Sequence, residues 1–308
     1  MMQAFSALMK KISEGRFVVT GELEPVKTTD PKSVFETAGL LKGYVTAINV
    51  TDNPTAFAYL NSLIVCYFIQ EKTGIETIYQ VTVRDRNRLA IVSDLLAAGA
   101  LNIRNVLTLS GDFVSVGDNP QAKPVYDLDS SQLLYLVRKM VEEGVDLAGN
   151  RIDNPPRFNV GVAGNPNADP LEPELFKLLR KQNIGADFVQ TQCVYNLESL
   201  DRFLDGLRSL DVKIPVIVGV APFKSVKMMD WMINYVPGIN VPEAMKGRLK
   251  EAGLKGKEAF KEESRSLFVE ICREIKKRPG VCGIHIMAVG FEEVIPKIIS
   301  EAGILGGI

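Results

Sequence analysis

Apolar residues along this chain gather into short, nearly unbroken runs. Longer stretches lie between them, in which apolar positions recur with helical spacing. The runs are FVVTGEL from Phe17, AINVTDN from Ala47, TIYQVTV from Thr77, NVLTLSGD from Asn105, NVGVAGN from Asn159, FVQTQCV from Phe188, PVIVGVA from Pro215 and GIHIMAV from Gly283. A strand covered on both faces needs no polar side, so such runs predict parallel strands buried between layers. Each is followed by a segment that reads as a helix. Asp30-Pro31 predicts a capping carboxylate before a proline in the first turn, and Asp169-Pro170 predicts the same again. Asp129 or Ser130 is placed to cap the helix running through Leu133 to Met140. Gly99, Gly144 and Gly185 mark expected helix ends.

Eight strand–helix units in one chain predict a closed (β/α)8 TIM barrel, class α/β, rather than the competing open α/β sheet. No linker or low-complexity tract interrupts residues 1–308, which predicts one domain, and residues 237–257 read as an insertion before the last long helix and strand.

In such barrels the chemistry is built on the carboxyl ends of the strands and the loops after them. The polar residues there are Glu22 with Glu24, Thr51 with Asp52 and Asn53, Gln80 with Thr82, Asp112, Asn165 and Gln192. Each has a plain structural alternative. Glu22 reads equally as a solvated strand-end carboxylate, Asp112 as a turn or cap residue, and Gln192 as an amide satisfied within the core. No GxGxxG follows a strand and no Walker A sequence occurs, which disfavours a Rossmann-type or P-loop site.

The charge balance adds exclusions. With 36 basic and 37 acidic residues the net charge is −1, and nucleic acid is not an expected partner. No apolar stretch approaches the roughly 20 residues of a membrane span, and no leader pattern opens the chain, so a cytoplasmic location is expected. The four cysteines form no CxxC pair and read as buried thiols; with a single histidine, His285, neither a His-based metal site nor a serine triad is expected.

Several motifs together resemble the methylenetetrahydrofolate reductase family. GELEPVK is similar to its first-strand E-φ-x-P-P-[RK] motif, and LTLSGD to its fourth-strand [RS]-G-D. KPVYDLDS, residues 123–130, resembles the flavin-loop segment that follows. LLRKQNIGADFVQTQCVYNLESLDRF resembles the K-x-x-x-G-A-x-x-x-x-T-Q segment, and VIVGVAP the seventh strand. Order and spacing agree over residues 17–300.

The resemblance implies a flavin-containing barrel that moves hydride from reduced flavin (FAD or FMN) to 5,10-methylenetetrahydrofolate, giving 5-methyltetrahydrofolate. It implies Glu22 as general acid and Asp112 beside both the flavin and the pterin. Gln192 becomes a folate-contacting amide. Thr51, Gln80, Tyr126, Asp129, Asn165, Lys181 and Ala186 fall at positions of the flavin site. It also implies NAD(P)H as electron donor, or a redox partner subunit carrying iron–sulfur or zinc, and an oligomer or hetero-complex. The sequence departs from better-known members at Val26, at Gln80 where histidine is usual, at Ser110 where arginine is usual, and at Asn165 and Lys177. These departures bear on FAD against FMN and on the donor. The competing readings are a pterin-binding methyltransferase barrel without flavin, and a flavin-binding electron-transfer subunit without activity of its own.

Overall fold

The computed structural model describes residues 3–236 and 238–305. Eight parallel strands close into a barrel in sequence order, β1 pairing with β8 to complete the ring. They are β1 (Val18–Leu23), β2 (Ala47–Val50), β3 (Glu76–Thr82), β4 (Asn105–Leu109), β5 (Asn159–Gly164), β6 (Phe188–Cys193), β7 (Val216–Val220) and β8 (Val281–Ile286). Every one coincides with a predicted apolar run, and closure rules out the open sheet.

A short helix, α1 (Ala7–Ser13), precedes the barrel. Around it run α2 (Lys32–Leu41), α3 (Ser62–Thr73), α4 (Arg88–Ala100), α5 (Ser130–Arg138), α6 (Glu172–Ile184) and α7 (Leu197–Ser209). The circuit ends with α8 (Val226–Tyr235), α9 (Glu243–Leu254), α10 (Lys257–Lys276) and α11 (Ile295–Ala302). The expected insertion of residues 237–257 contains α9, while its first residue, Pro237, lies outside the described residues.

The local signals held unevenly. Asp129 caps α5 in a reciprocal box: its carboxylate accepts from Ser131 N and Gln132 N, while Gln132 Oε1 accepts from Asp129 N. Gly144 and Gly185 end helical segments with positive φ, as expected. Asp30 accepts from Lys32 N at 3.0 Å, but Pro31 is the cap residue rather than the first helical one. Asp169-Pro170 begins no helix, since α6 starts at Glu172 with Leu171 as its cap. Gly99 lies inside α4 rather than at its end; a Cβ there would stand 2.9 Å from Cβ of Pro156, so close packing explains the glycine.

Two apolar clusters hold the fold. The larger fills the layer between strands and helices. The smaller lies inside the barrel at the amino-terminal ends of the strands, where Leu8, Met9 and Ile12 of α1 pack on Val18, Ala47, Ile78, Leu107, Phe188 and Ile217. This plug leaves the opposite end as the open mouth.

Candidate active site

Above the apolar plug the barrel interior turns polar. A middle layer carries Thr20, Asn49, Gln190 and His285, all buried. This layer is almost closed to water, so its polar atoms must find partners within the protein, and most of those partners lie within the layer. Asn49 and Gln190 exchange two amide hydrogen bonds of 2.6 and 3.1 Å. Gln190 also donates to Thr20 Oγ1 at 3.3 Å, and Thr20 Oγ1 stands 2.9 Å from His285 Nδ1.

One step closer to the mouth is Glu22, its side chain 13% exposed. Its Oε2 stands 3.4 Å from His285 Nε2, and Gln80 Nε2 donates to the same oxygen at 3.5 Å. Glu22, Thr51, Gln80, Asp112, Lys181 and Gln192 all line one cavity of about 390 Å3. Thr51 Oγ1 is buried there with no hydrogen-bond partner.

The loops over the mouth are tied by a buried arginine. Arg84, 2% exposed, donates from Nη2 to Asn53 O at 3.0 Å and from Nη1 to Asp112 O at 3.3 Å. Asp112 Oδ2 accepts from Thr55 N at 2.8 Å. These bonds hold Asn53, Thr55 and Ala56 in left-handed conformations (φ 47, 51 and 59) that non-glycine residues otherwise avoid. At Gly111 (φ 87) a Cβ would meet Cβ of Arg84 at 3.0 Å, so the turn that presents Asp112 needs glycine. Farther out, Lys27 pairs with Asp118, which also accepts from Ala58 N.

Burial sets the electrostatics. Lys181, on α6, reaches inward and donates to Ala163 O at 3.2 Å. Its burial, aided by the charge of Lys177 and opposed by Glu174 and Asp129, lowers its pKa to about 8. Burial raises Glu24 above the usual carboxylate range; a hydrogen bond with Tyr59 opposes this, and the charges of Glu22 and Glu292 add to it. Cys66, Cys193, Cys272 and Cys282 are free, and burial pushes each thiol up to about 12. They are protonated near neutral pH and unsuited to nucleophilic work.

Not every residue singled out in the sequence joins the cavity. Tyr126 stands at the rim, its hydroxyl 3.5 Å from Asp112 O. Asp129 is engaged as the α5 cap. Asn165 lines a neighbouring cavity with Glu174 and Lys177, the lysine being shared between the two. Ala186 precedes β6 and so lies at the plugged end, lining a separate cavity with Phe5, Arg138 and Asp187; the chain direction of β6 keeps it away from the mouth. In β6, Gln190 is the core-satisfied amide and Gln192 the exposed one at the cavity.

Sequence reasoning missed Arg84 and His285. Arg84 lies two residues beyond β3, where a charged residue reads as loop. His285 had a signal: an ionisable ring in the middle of the apolar run GIHIMAV.

The sequence profile of the family described as "Methylenetetrahydrofolate reductase" matches residues 7–303. The chain belongs to this family. It is 24% identical over 245 residues to "Methylenetetrahydrofolate reductase 1" of Schizosaccharomyces pombe, covering 77% of this chain and 37% of that protein. It is likewise 24% identical over 266 residues to "5,10-methylenetetrahydrofolate reductase" of Pectobacterium carotovorum, covering 78% and 80%. The chain thus spans about a third of the eukaryotic relatives it matches, such as the S. pombe protein (37%) and a Caenorhabditis elegans reductase (33%). Among solved structures, a Clostridium thermocellum protein described as binding two copies of 5-methyl-5,6,7,8-tetrahydrofolic acid superposes with a TM-score of 0.64 at 17% identity, over 96% of this chain and 98% of that one. Mycobacterium tuberculosis tryptophan synthase gives 0.55 at 10% identity, covering 99% of each chain. At these identities the likeness is one of fold: methylenetetrahydrofolate reductases share this barrel with unrelated enzymes.

Proposed function

We propose that this chain is a flavin-dependent reductase that converts 5,10-methylenetetrahydrofolate to 5-methyltetrahydrofolate. Membership in the reductase family supports the reaction class. The observation that carries the reading is that Glu22 and Asp112, from β1 and from the turn after β4, face one cavity at the barrel mouth.

The residues present fit a flavin. Thr51 Oγ1 is a buried polar atom lacking any protein partner, as a ligand-binding hydroxyl would be before its ligand arrives. The cavity, about 390 Å3, is of the size that takes the planar part of a cofactor. Thr51, Gln80, Asp112 and Lys181 would hold the ring system, with Tyr126, Asp129 and Asn165 beyond the rim for the chain that follows it. FAD and FMN share the ring and differ in that chain. A flavin held there supplies a hydride donor.

The protein's own groups do the rest. The substrate carbon is locked in a ring between two nitrogens and accepts hydride only once that ring opens. Glu22 delivers a proton to N10, which opens the ring and leaves a 5-iminium cation. The Asp112 carboxylate stabilises that positive charge as it develops. Gln192, exposed at the cavity, donates to and accepts from the amide-like edge of the pterin. The loops tied by Arg84 hold Asp112 at the cavity.

The test uses the purified protein. Its spectrum is recorded, it is denatured, and the released flavin is identified by mass. The native protein is then reduced anaerobically with NADH, NADPH or dithionite and mixed with methylenetetrahydrofolate. Expected are a flavin that leaves on denaturation and reoxidation coupled to 5-methyltetrahydrofolate. Reduction by dithionite but by neither nicotinamide assigns the donor role to a partner subunit. Colourless protein that takes up neither FAD nor FMN overturns the reading and favours the methyltransferase barrel.

A further inference from the structure

We infer that His285 is a positioning residue for Glu22, wired through Thr20, Gln190 and Asn49 into the tautomer whose hydrogen is on Nε2 and aimed at Glu22 Oε2. This rests on Glu22 being the acid of the reaction proposed above.

The wiring follows from counting donors. Asn49 Nδ2 donates to Gln190 Oε1 at 2.6 Å, and Gln190 Nε2 returns a bond to Asn49 Oδ1 at 3.1 Å. The second hydrogen of Gln190 Nε2 goes to Thr20 Oγ1 at 3.3 Å, which makes that hydroxyl an acceptor. A hydroxyl has one hydrogen of its own to place. The remaining partner of Thr20 Oγ1 is His285 Nδ1, at 2.9 Å. Nδ1 therefore accepts, and the ring hydrogen belongs on Nε2. That nitrogen faces Glu22 Oε2 at 3.4 Å, the same oxygen approached by Gln80 Nε2 at 3.5 Å. Both donors converge on Oε2, which leaves Oε1 as the oxygen that carries the transferable proton.

The location argues for a purpose. Thr20 and Asn49 are 0% exposed, His285 3% and Gln190 4%. A barrel interior is ordinarily filled at this level by branched apolar side chains, as it is one layer below by Ile78 and Ile217. A polar layer stabilises the fold no better than an apolar one and fails if any member goes unpaired. What it adds is direction: a chain of bonds running from the middle of the barrel to one oxygen of the proposed acid.

The main competing wiring uses the same atoms. With both amides turned, Thr20 would donate to Gln190, His285 would donate from Nδ1 to Thr20, and a bare Nε2 would accept from a protonated Glu22 Oε2. The acid proton would then be tied to the histidine rather than free on Oε1.

The chain has a single histidine, so histidine labelled with nitrogen-15 in its ring yields the two ring nitrogens of His285 alone. Near neutral pH the labelled protein is expected to show a hydrogen-bearing Nε2 and a bare Nδ1, and Thr20→Val is expected to abolish that preference. A hydrogen on Nδ1, or on both nitrogens, overturns the inference. A second measurement compares His285→Gln, whose amide nitrogen can replace the Nε2 donor, with His285→Leu, which has none. Loss of a hydrogen bond to an ionisable partner is expected to slow flavin reoxidation by methylenetetrahydrofolate about ten- to a hundredfold in the leucine variant. The glutamine variant should recover most of that rate, and reduction of the flavin by dithionite should be unchanged in both. Equal slowing in both variants means His285 acts only through packing and overturns the inference. Should wild-type protein fail to be reoxidised by the folate at all, the reductase reading fails, while the nitrogen spectrum still decides the wiring.

Discussion

The two ends of this barrel are made from the same eight strands and are built in opposite ways. At the amino-terminal end, Leu8 and Met9 of α1 are fully enclosed by Val18, Ala47, Ile78, Leu107, Phe188 and Ile217. A buried ion pair beside that end, Arg138 with Asp187, is reinforced by a bond from Val160 N to Asp187 Oδ2. Burial nonetheless raises the Asp187 carboxyl above its usual range, the arginine opposing that. At the mouth, a lysine from α6 is buried, a threonine hydroxyl lacks a partner, and three residues of the turn after β2 hold left-handed backbone. Stability is therefore concentrated at one end and chemical capacity at the other. Substitutions at the plugged end should cost stability and spare the chemistry, whereas substitutions at the mouth should cost chemistry and can add stability.

The largest stability effect is expected at the plug. Phe188 fills the interior against Gly161, where an added Cβ would stand 2.4 Å from the ring. Phe188→Ala should lower unfolding free energy by roughly 3–5 kcal/mol in urea titrations, while the folded protein keeps its flavin affinity. A loss of flavin with no loss of stability would break the division between the ends.

Lys181→Met is the matching test at the mouth, and its sign is opposite. Burial lowers Lys181 from 10.5 to about 8. Below pH 8 the lysine is charged both folded and unfolded, so the full cost of burying the charge is present. Between about 8 and 10.5 the unfolded chain holds the proton and the folded chain does not, so wild-type stability rises with pH through that window. The methionine variant should therefore be more stable at pH 7, by at most about 3 kcal/mol, less the lost bond to Ala163 O. The gap should close as pH rises, and flavin should bind more weakly. A variant less stable than wild type at pH 7 would place Lys181 among the structural residues.

Asp112→Asn is the subtlest change. Asparagine can still accept from Thr55 N, so the loop is retained while the charge is removed. The flavin potential should rise and folate reduction slow about tenfold, or ~1.4 kcal/mol in barrier. An unchanged potential with normal turnover would leave Asp112 as a loop anchor alone.

The strands were legible because a strand buried on both faces leaves a short, nearly unbroken apolar run; the run at residues 63–69 is the exception, lying in the twelve-residue helix α3. The α5 cap was legible because Asp129 and Gln132 satisfy each other locally. Gly99 and Asp169-Pro170 misled because their reasons are tertiary or lie in the loop: Gly99 makes room for Pro156, and the helix after Pro170 is set by where Glu172 begins its turn. The plug was not legible, since α1 has seven residues and becomes meaningful only against the strand ends it closes. At the site, strand-end position was enough to find Glu22, Thr51, Gln80 and Gln192. It was not enough for His285, whose partners Thr20 and Glu22 are more than 260 residues away in sequence, while Ala186, implied by the resemblance alone, stands before its strand and away from this cavity.

The central claim is that Glu22 supplies the proton that opens the folate ring. Glu22→Gln keeps the side-chain volume and the acceptor facing His285 but has no carboxylic proton to give. Stopped-flow absorbance of the flavin follows each half-reaction alone. Reduction of the flavin should proceed at the wild-type rate, while reoxidation by methylenetetrahydrofolate should slow by about 10²–10⁴-fold. Equal slowing of both half-reactions, or of neither, would contradict the assignment; in the second case Glu24, whose carboxyl is raised above its usual range by burial, is the next group to test.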